Sequence, residues 1–215
     1  MRAQRLFILA GIIAIGATIA ADAQPLKVAA RGAKRVTLSD RVGKNQFTWN
    51  SDAPLEKIKG SSEGVTGSFS LDPANLATMR GTISTKVSTM KSGSDQRDGH
   101  LKGDQWLDAA KYPTITFTIT SITGVKVTKN KAKGTAKGNF TMHGVTKQIS
   151  IPFTLTYLDA STATAKRAPG DLVMLNADFT IALKDFKVAG TKGLVGSKVG
   201  EKIKVKAQLF GTTSS

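Results

Sequence analysis

Residues 97–117, RDGHLKGDQWLDAAKYPTITF, carry one of the chain's two histidines, one of its two tryptophans and one of its two tyrosines. Ser94 or Asp95 can cap a short helical turn that Gly103 stops, and Asp104 can cap a second turn holding Trp106 and Leu107. Pro113 cannot continue a helix and biases Tyr112 toward extended backbone, so the chain leaves as a strand from Thr114. The stretch therefore reads as short helical turns over 95–111 joining two strands.

On either side the dominant signal has a period of two. Phe47 and Trp49 share a face, as do Ile83, Thr85, Val87 and Thr89 along a strand from Gly81 to Met90. Ile115, Phe117 and Ile119 stand opposite Thr116, Thr118 and Thr120. Ala136, Gly138, Phe140 and Met142 alternate, then Ile149, Ile151, Phe153, Leu155 and Tyr157, then Val173 to Leu183, then Ile203 to Leu209 against Lys202, Lys204, Lys206 and Gln208. Pro152 has no N–H to donate and requires an edge or a bulge in its strand. Glycines 60, 64 and 67 suit bends in a curved wall. Between the strands, residues 24–34 are aperiodic and expected to be a flexible lead-in. Residues 129–134 read as a polar hairpin loop, 159–171 as a long flexible loop, and the glycines at 190, 193, 196 and 200 as another loop. Many short strands and no helix of three turns predict an antiparallel barrel or sandwich.

Two segments carry a more specific signal. Arg97-Asp98-x-His100-Leu101, then Trp106-Leu107-Asp108, Lys111-Tyr112-Pro113 and Ile115-x-Phe117, resemble in order and spacing the signature of the YceI-like family, polyisoprenoid- or lipid-binding proteins of the bacterial envelope. Gly138-Asn139-Phe140-Thr141-Met142-His143-Gly144-Val145-Thr146-Lys147 is similar to the family hairpin G-x-[LF]-x-[ILM]-x-G-V-T-[KR]. Lys184-Asp185-Phe186 resembles a family strand end, with Lys187 where a glycine often follows. The resemblance covers roughly Val36 to Phe210. It implies a lipocalin-like antiparallel β-barrel of about eight strands around an elongated apolar cavity, with a long-chain isoprenoid lipid as ligand. A His-Ser pair frequent in the family is replaced by Asn45-Gln46, so no role of that histidine transfers.

The chain has 215 residues, 31 Lys plus Arg against 15 Asp plus Glu, and no Cys. Arg2 and Arg5, the apolar run Leu6–Ala21 and the small-x-small Ala21-Asp22-Ala23 read as a secretory signal with cleavage after Ala23. The run is short of the ~20 residues that a spanning helix needs. Residues 1–23 are thus a signal peptide, 24–34 a lead-in and 35–211 one domain, in a periplasmic or secreted protein. Without Cys, a lipid-modified cysteine is excluded, and the domain is large enough to build a core without disulfides. The lysine excess suits peripheral contact with an anionic membrane surface and blocks edge-to-edge strand pairing.

Catalytic constellations are missing from the sequence: it has no Gly-x-Ser-x-Gly, no phosphate loop and no His-x-x-x-His. His100 and His143 lack partners at metal-ligand spacing, so no metal, cofactor or enzymatic activity is expected. His143 is read as a turn former. Single-stranded nucleic acid is not the expected partner, because stacking needs aromatics on the lysine-bearing faces and here they share the apolar ones. Expected cavity residues are Ile83, Val87, Leu101, Trp106, Leu107, Tyr112, Phe117, Ile119, Phe140, Met142, Phe153, Leu155, Phe179 and Ile181. Small Ala136, Gly138 and Ala177 would leave the interior unfilled. Arg97 and His100 have two readings: lipid head-group contacts at the barrel mouth, or, for Arg97, pairing with Asp98, Asp104 or Asp108 to hold the connection. The local density of acids favours the pairing. Oligomeric state is not legible.

Overall fold

The computed structural model describes residues 24–214, and the signal segment read over 1–23 lies outside them. Eleven strands follow in chain order: β1 (Lys34–Leu38), β2 (Gln46–Asp52), β3 (Lys57–Ser62), β4 (Thr66–Leu71), β5 (Arg80–Lys86), β6 (Met90–Lys91), β7 (Thr114–Thr128), β8 (Lys131–Met142), β9 (Val145–Leu158), β10 (Leu172–Ala182) and β11 (Lys202–Thr212). Helix α1 (Asp95–Lys102) precedes β7, and the single turn α2 (Thr162–Ala165) precedes β10.

All pairings between these strands are antiparallel, in the order β1-β4-β5-β7-β8-β9-β10-β11, and β11 returns to β1 to close the ring. Further along, β11 pairs with β2, β2 with β3 and β3 with β6. Each of the pairs β1/β2, β3/β4 and β5/β6 thus supplies one stave, giving a closed eight-stranded antiparallel barrel of the lipocalin-like type. Closure removes the edges that an open sheet of alternating strands would expose.

The alternation that predicts the strands also decides their faces. In β11 the lysines at 202, 204 and 206 are exposed while Ala207 and Leu209 are buried. Pro152 lies where the wall parts: β10 pairs with β9 from Leu158 to Phe153 and no further, so the upper half of β9 has only β8 beside it. A residue without an N–H is tolerated there because no neighbour requires the donor.

Several expectations are corrected. The strand read over 81–90 breaks at Val87, where a 3₁₀ turn (Val87–Thr89) redirects the chain from pairing with β4 and β7 to pairing with β3. The polar loop read over 129–134 contracts to Lys129 and Asn130, Lys129 adopting a positive φ of 56°. The lead-in is docked rather than loose: Leu26 is buried, its N–H donates to Pro73 O at 2.9 Å, and Lys27 N–H donates to Lys129 O at 2.8 Å. The 159–171 loop is tied down by α2, by buried Ala168 and by Arg167 donating to Val42 O at 3.0 Å. These contacts span large sequence separations, so no local period announces them.

Asn45 is tied into the scaffold. It is 1% exposed, its Oδ1 accepts from Phe210 N–H at 2.7 Å, and its Nδ2 donates to Asp40. It thereby fastens the β1–β2 corner to β11.

Candidate functional site

The end of the barrel that carries α1 is its top, and the opposite end is packed solid. There Leu26, Val36, Phe69, Leu71, Leu76, Leu155 and Tyr157 form one continuous apolar cluster. Tyr157 is fully buried and its hydroxyl donates to Asp171 Oδ2 at 2.6 Å; burial first, and then the carboxylate, push the phenol's pKa upward.

Above this packed end the interior opens into a cavity of about 500 Å³. Of the residues read from the sequence, Ile83, Phe117, Ile119, Phe140, Met142, Phe153, Phe179 and Ile181 line its walls, and Leu101, Trp106 and Leu107 line it from the α1 connection. The cavity also takes in residues not expected: Phe47, Trp49 and Ile58 from β2 and β3, Met79, Leu175, the inward face of β11, and Leu183, Val188, Leu194 and Val199 from the segment after β10. For β2 and β11 the signal was present in the alternation of Phe47 with Trp49 and of Ile203 to Leu209. For Leu194 and Val199, in a glycine-spaced loop, no local signal exists.

Three expected residues lie elsewhere. Val87 sits in the 3₁₀ turn, 1% exposed, packed into the top cluster rather than facing the void. Leu155 is below the cavity, in the packed end. Tyr112 is outside the barrel, where its ring covers Gly144 and meets the His143 ring edge-on at 5.0 Å. Gly138 is also no spare room: a Cβ there would stand 2.3 Å from Thr118 O and 2.8 Å from the Phe117 ring, so it is needed for close approach of β8 to β7. Ala136 and Ala177, in contrast, do border the void.

Trp49 reaches its place because Gly60 faces it across the β2–β3 pair. A Cβ at Gly60 would lie 2.0 Å from Trp49 Cζ2, so the indole occupies space that any other residue would claim. Its Nε1–H is buried without a hydrogen-bond partner, unlike any other buried side-chain polar atom among the described residues. Nearby, Ser62 Oγ meets Thr85 Oγ1 at 2.7 Å and Thr89 Oγ1 at 2.9 Å, and Thr89 donates to backbone carbonyls. Thr89 therefore accepts from Ser62, and Ser62 from Thr85.

Two caps close the top. One is the connection from α1 to Pro113: Ser94 accepts from Arg97 N–H, Gly103 ends the helix, and residues 104–111 follow as hydrogen-bonded turns. The other runs from Leu183 to Gly200. The caps touch where Gly190, at φ +65°, lies against the Trp106 ring. His143 holds the second cap to the β8–β9 turn through Nδ1 and Phe186 O at 3.1 Å; a carbonyl only accepts, so Nδ1 carries the proton. His143 has φ 50°, as a turn former should.

Polar side chains gather at this end: Glu56, Ser94, Gln96, Arg97, His100 and Lys198. Arg97 does not pair with Asp98, Asp104 or Asp108. Its Nη2 donates to Glu56 Oε1 at 2.8 Å, linking α1 to the β2–β3 turn. Asp98 faces the other way and accepts from Ser92 Oγ and Ser92 N–H, both at 2.6 Å. The Ser92 hydroxyl, opposed by burial and aided by the backbone N–H, holds the Asp98 carboxyl below the usual carboxylate range. Among the described residues no group of His, Asp and Glu has metal-holding geometry.

The fold has relatives of known structure. Burkholderia cenocepacia BcnA superposes with a TM-score of 0.65 at 19% identity over 81% of this chain and 99% of that one. A polyisoprenoid binding domain from Saccharophagus degradans gives 0.61 at 14% identity over 84% and 99%. In sequence, a UPF0312 protein of Yersinia enterocolitica is 30% identical over 142 residues, 66% of this chain and 69% of the relative. A UPF0312 protein of Vibrio cholerae is 36% identical over 94 residues, so the match spans about half of that relative's length, 48%. The model of the YceI-like domain matches residues 36–210, and the chain belongs to the YceI-like family.

Proposed function

We propose that the chain is an exported, periplasmic binding or carrier protein for a long-chain apolar lipid of the isoprenoid class, held inside the barrel. The observation that carries this reading is the cavity: about 500 Å³, walled by aliphatic and aromatic side chains, with its charged groups confined to the capped end. Such an interior suits a molecule with a long apolar tail and one polar head. The name of the Saccharophagus degradans neighbour, a polyisoprenoid binding domain, supports the same ligand class. The head group belongs beside His100, Lys198 and Arg97, whose charge Glu56 partly offsets. The role this reading assigns is binding: among the described residues, the cavity's polar side chains pair no nucleophile with a base. Most of the aromatics face the interior and Tyr112, outside it, is taken up by Gly144 and the His143 ring, which supports lipid over nucleic acid.

The test is native mass spectrometry of protein purified from its own host's envelope. A lipid-sized adduct that organic extraction removes is expected. Ala177→Trp, which fills the cavity from β10, should abolish the adduct while the folded signature in circular dichroism persists. An empty protein that takes up no prenol or quinone on incubation would overturn the reading.

A further inference from the structure

The cavity has a floor, and on four strands the change from void to packed side chains can be located. On β9, Ile151 and Phe153 line the void, whereas Leu155 and Tyr157, next on the same face, belong to the packed end. On β10, Leu175 lines it and Val173 does not; on β7 the boundary falls between Ile119 and Ile122, and on β8 between Ala136 and Ala132. Phe69 on β4 does not border the void and is 2% exposed within the packed cluster. These four boundaries, backed by a continuous buried cluster, mean that a chain entering from the top meets a wall.

Resting on the lipid-carrier reading, we propose that this floor makes the cavity a chain-length ruler that accommodates about four isoprene units. The lined run from Leu175 to Leu183 on one side of the barrel is roughly 20 Å deep along the axis, at ~3.4 Å per residue and a tilt of ~40°. Four extended units fill that depth. Further units must part the caps to leave the barrel and gain no burial, so affinity stops rising with length once the floor is reached. Ala136 on β8 and Ala207 on β11 are small residues bordering the void, where a larger side chain would shorten it.

The experiment uses delipidated protein and a series of prenols (geraniol, farnesol, geranylgeraniol and undecaprenol), with binding read by quenching of Trp49 and Trp106, which both line the cavity. Affinity should rise about tenfold or more per added unit up to geranylgeraniol, since each unit buries several CH₂ equivalents, and undecaprenol should lie within about threefold of geranylgeraniol. Ala207→Phe and Ala136→Phe, each checked for an unchanged circular dichroism spectrum, should raise the floor. Geranylgeraniol should then lose about tenfold while geraniol stays within about threefold. A continued rise from geranylgeraniol to undecaprenol, or equal weakening of every prenol in both variants, sinks the ruler and leaves the carrier standing. Failure of every prenol to bind the unaltered protein removes the carrier reading and the ruler with it.

Discussion

Phe179 and Phe69 are both inward aromatics of a β-barrel, yet they do different work. Phe69 is 2% exposed within the packed end, and Phe179 borders the void and meets the Phe140 ring edge-on at 6.1 Å. Truncating Phe69 encloses a new hole, so Phe69→Ala should cost about 3–5 kcal/mol. Phe179→Ala only enlarges an existing hole and should cost roughly 1–2 kcal/mol in the lipid-free protein. Urea unfolding of the two variants measures both. Lys204, exposed between Thr180 and Asn50, is the control, and its replacement by Ala should stay within about 0.5 kcal/mol. A larger loss at Phe179 than at Phe69 would mean that the void is filled in solution.

At the level of elements, α1 is held by two carboxylates of unequal value. The Arg97–Glu56 pair has side chains more than a third exposed, 38% and 36%, and contributes little against solvent screening. Asp98 is 8% exposed and doubly hydrogen-bonded by Ser92. Because its folded pKa is depressed, its contribution is fully present above the unfolded value near ~3.9 and disappears as pH falls through the lower folded value. Acid titration followed by Trp106 fluorescence should therefore show the α1 cap loosening below about pH 4, and Asp98→Asn should remove that pH dependence. A second element-scale prediction concerns β9. Below Phe153 it is paired on both sides, whereas residues 145–152 are paired with β8 alone. Hydrogen exchange should find the amides that face β10 in that upper half markedly less protected than those of residues 153–158.

For the whole molecule, the packed end, the void and the caps divide the labour of stability and binding. The four ion pairs among the described residues are all exposed by a third or more, so packing rather than charge holds the barrel. Occupancy of the void should add to it: native-host protein carrying its adduct should melt above the same protein after extraction, by mass action on the folded state. The proposed export assigns residues 1–23 to a signal peptide that is removed. Intact mass of envelope-derived protein should match a chain beginning at Gln24, and a full-length chain in the membrane fraction would refute cleavage after Ala23.

Sequence alone determined the strands and their faces, because a period of two is local: each residue's side follows from its neighbours'. Phe47 and Trp49, Ile115 to Ile119 and Ile203 to Leu209 were legible in that way, and the motif over residues 97–117 located the top cap. Most of the cavity's wall was legible too, since an inward apolar residue in a barrel must face either ligand or core. Only the tertiary structure decided which of the two. Leu155 and Phe153 are two residues apart on one face, and their separation into floor and wall depends on Leu26, Phe69 and Leu76 arriving from distant parts of the chain. Tyr112 was misread for a related reason: its aromatic character is intrinsic, but the Gly144 it covers lies 32 positions away. Arg97 likewise found Glu56 across the barrel mouth rather than the acids beside it, because the helix points its guanidinium toward the β2–β3 turn while Asp98 is turned back onto Ser92.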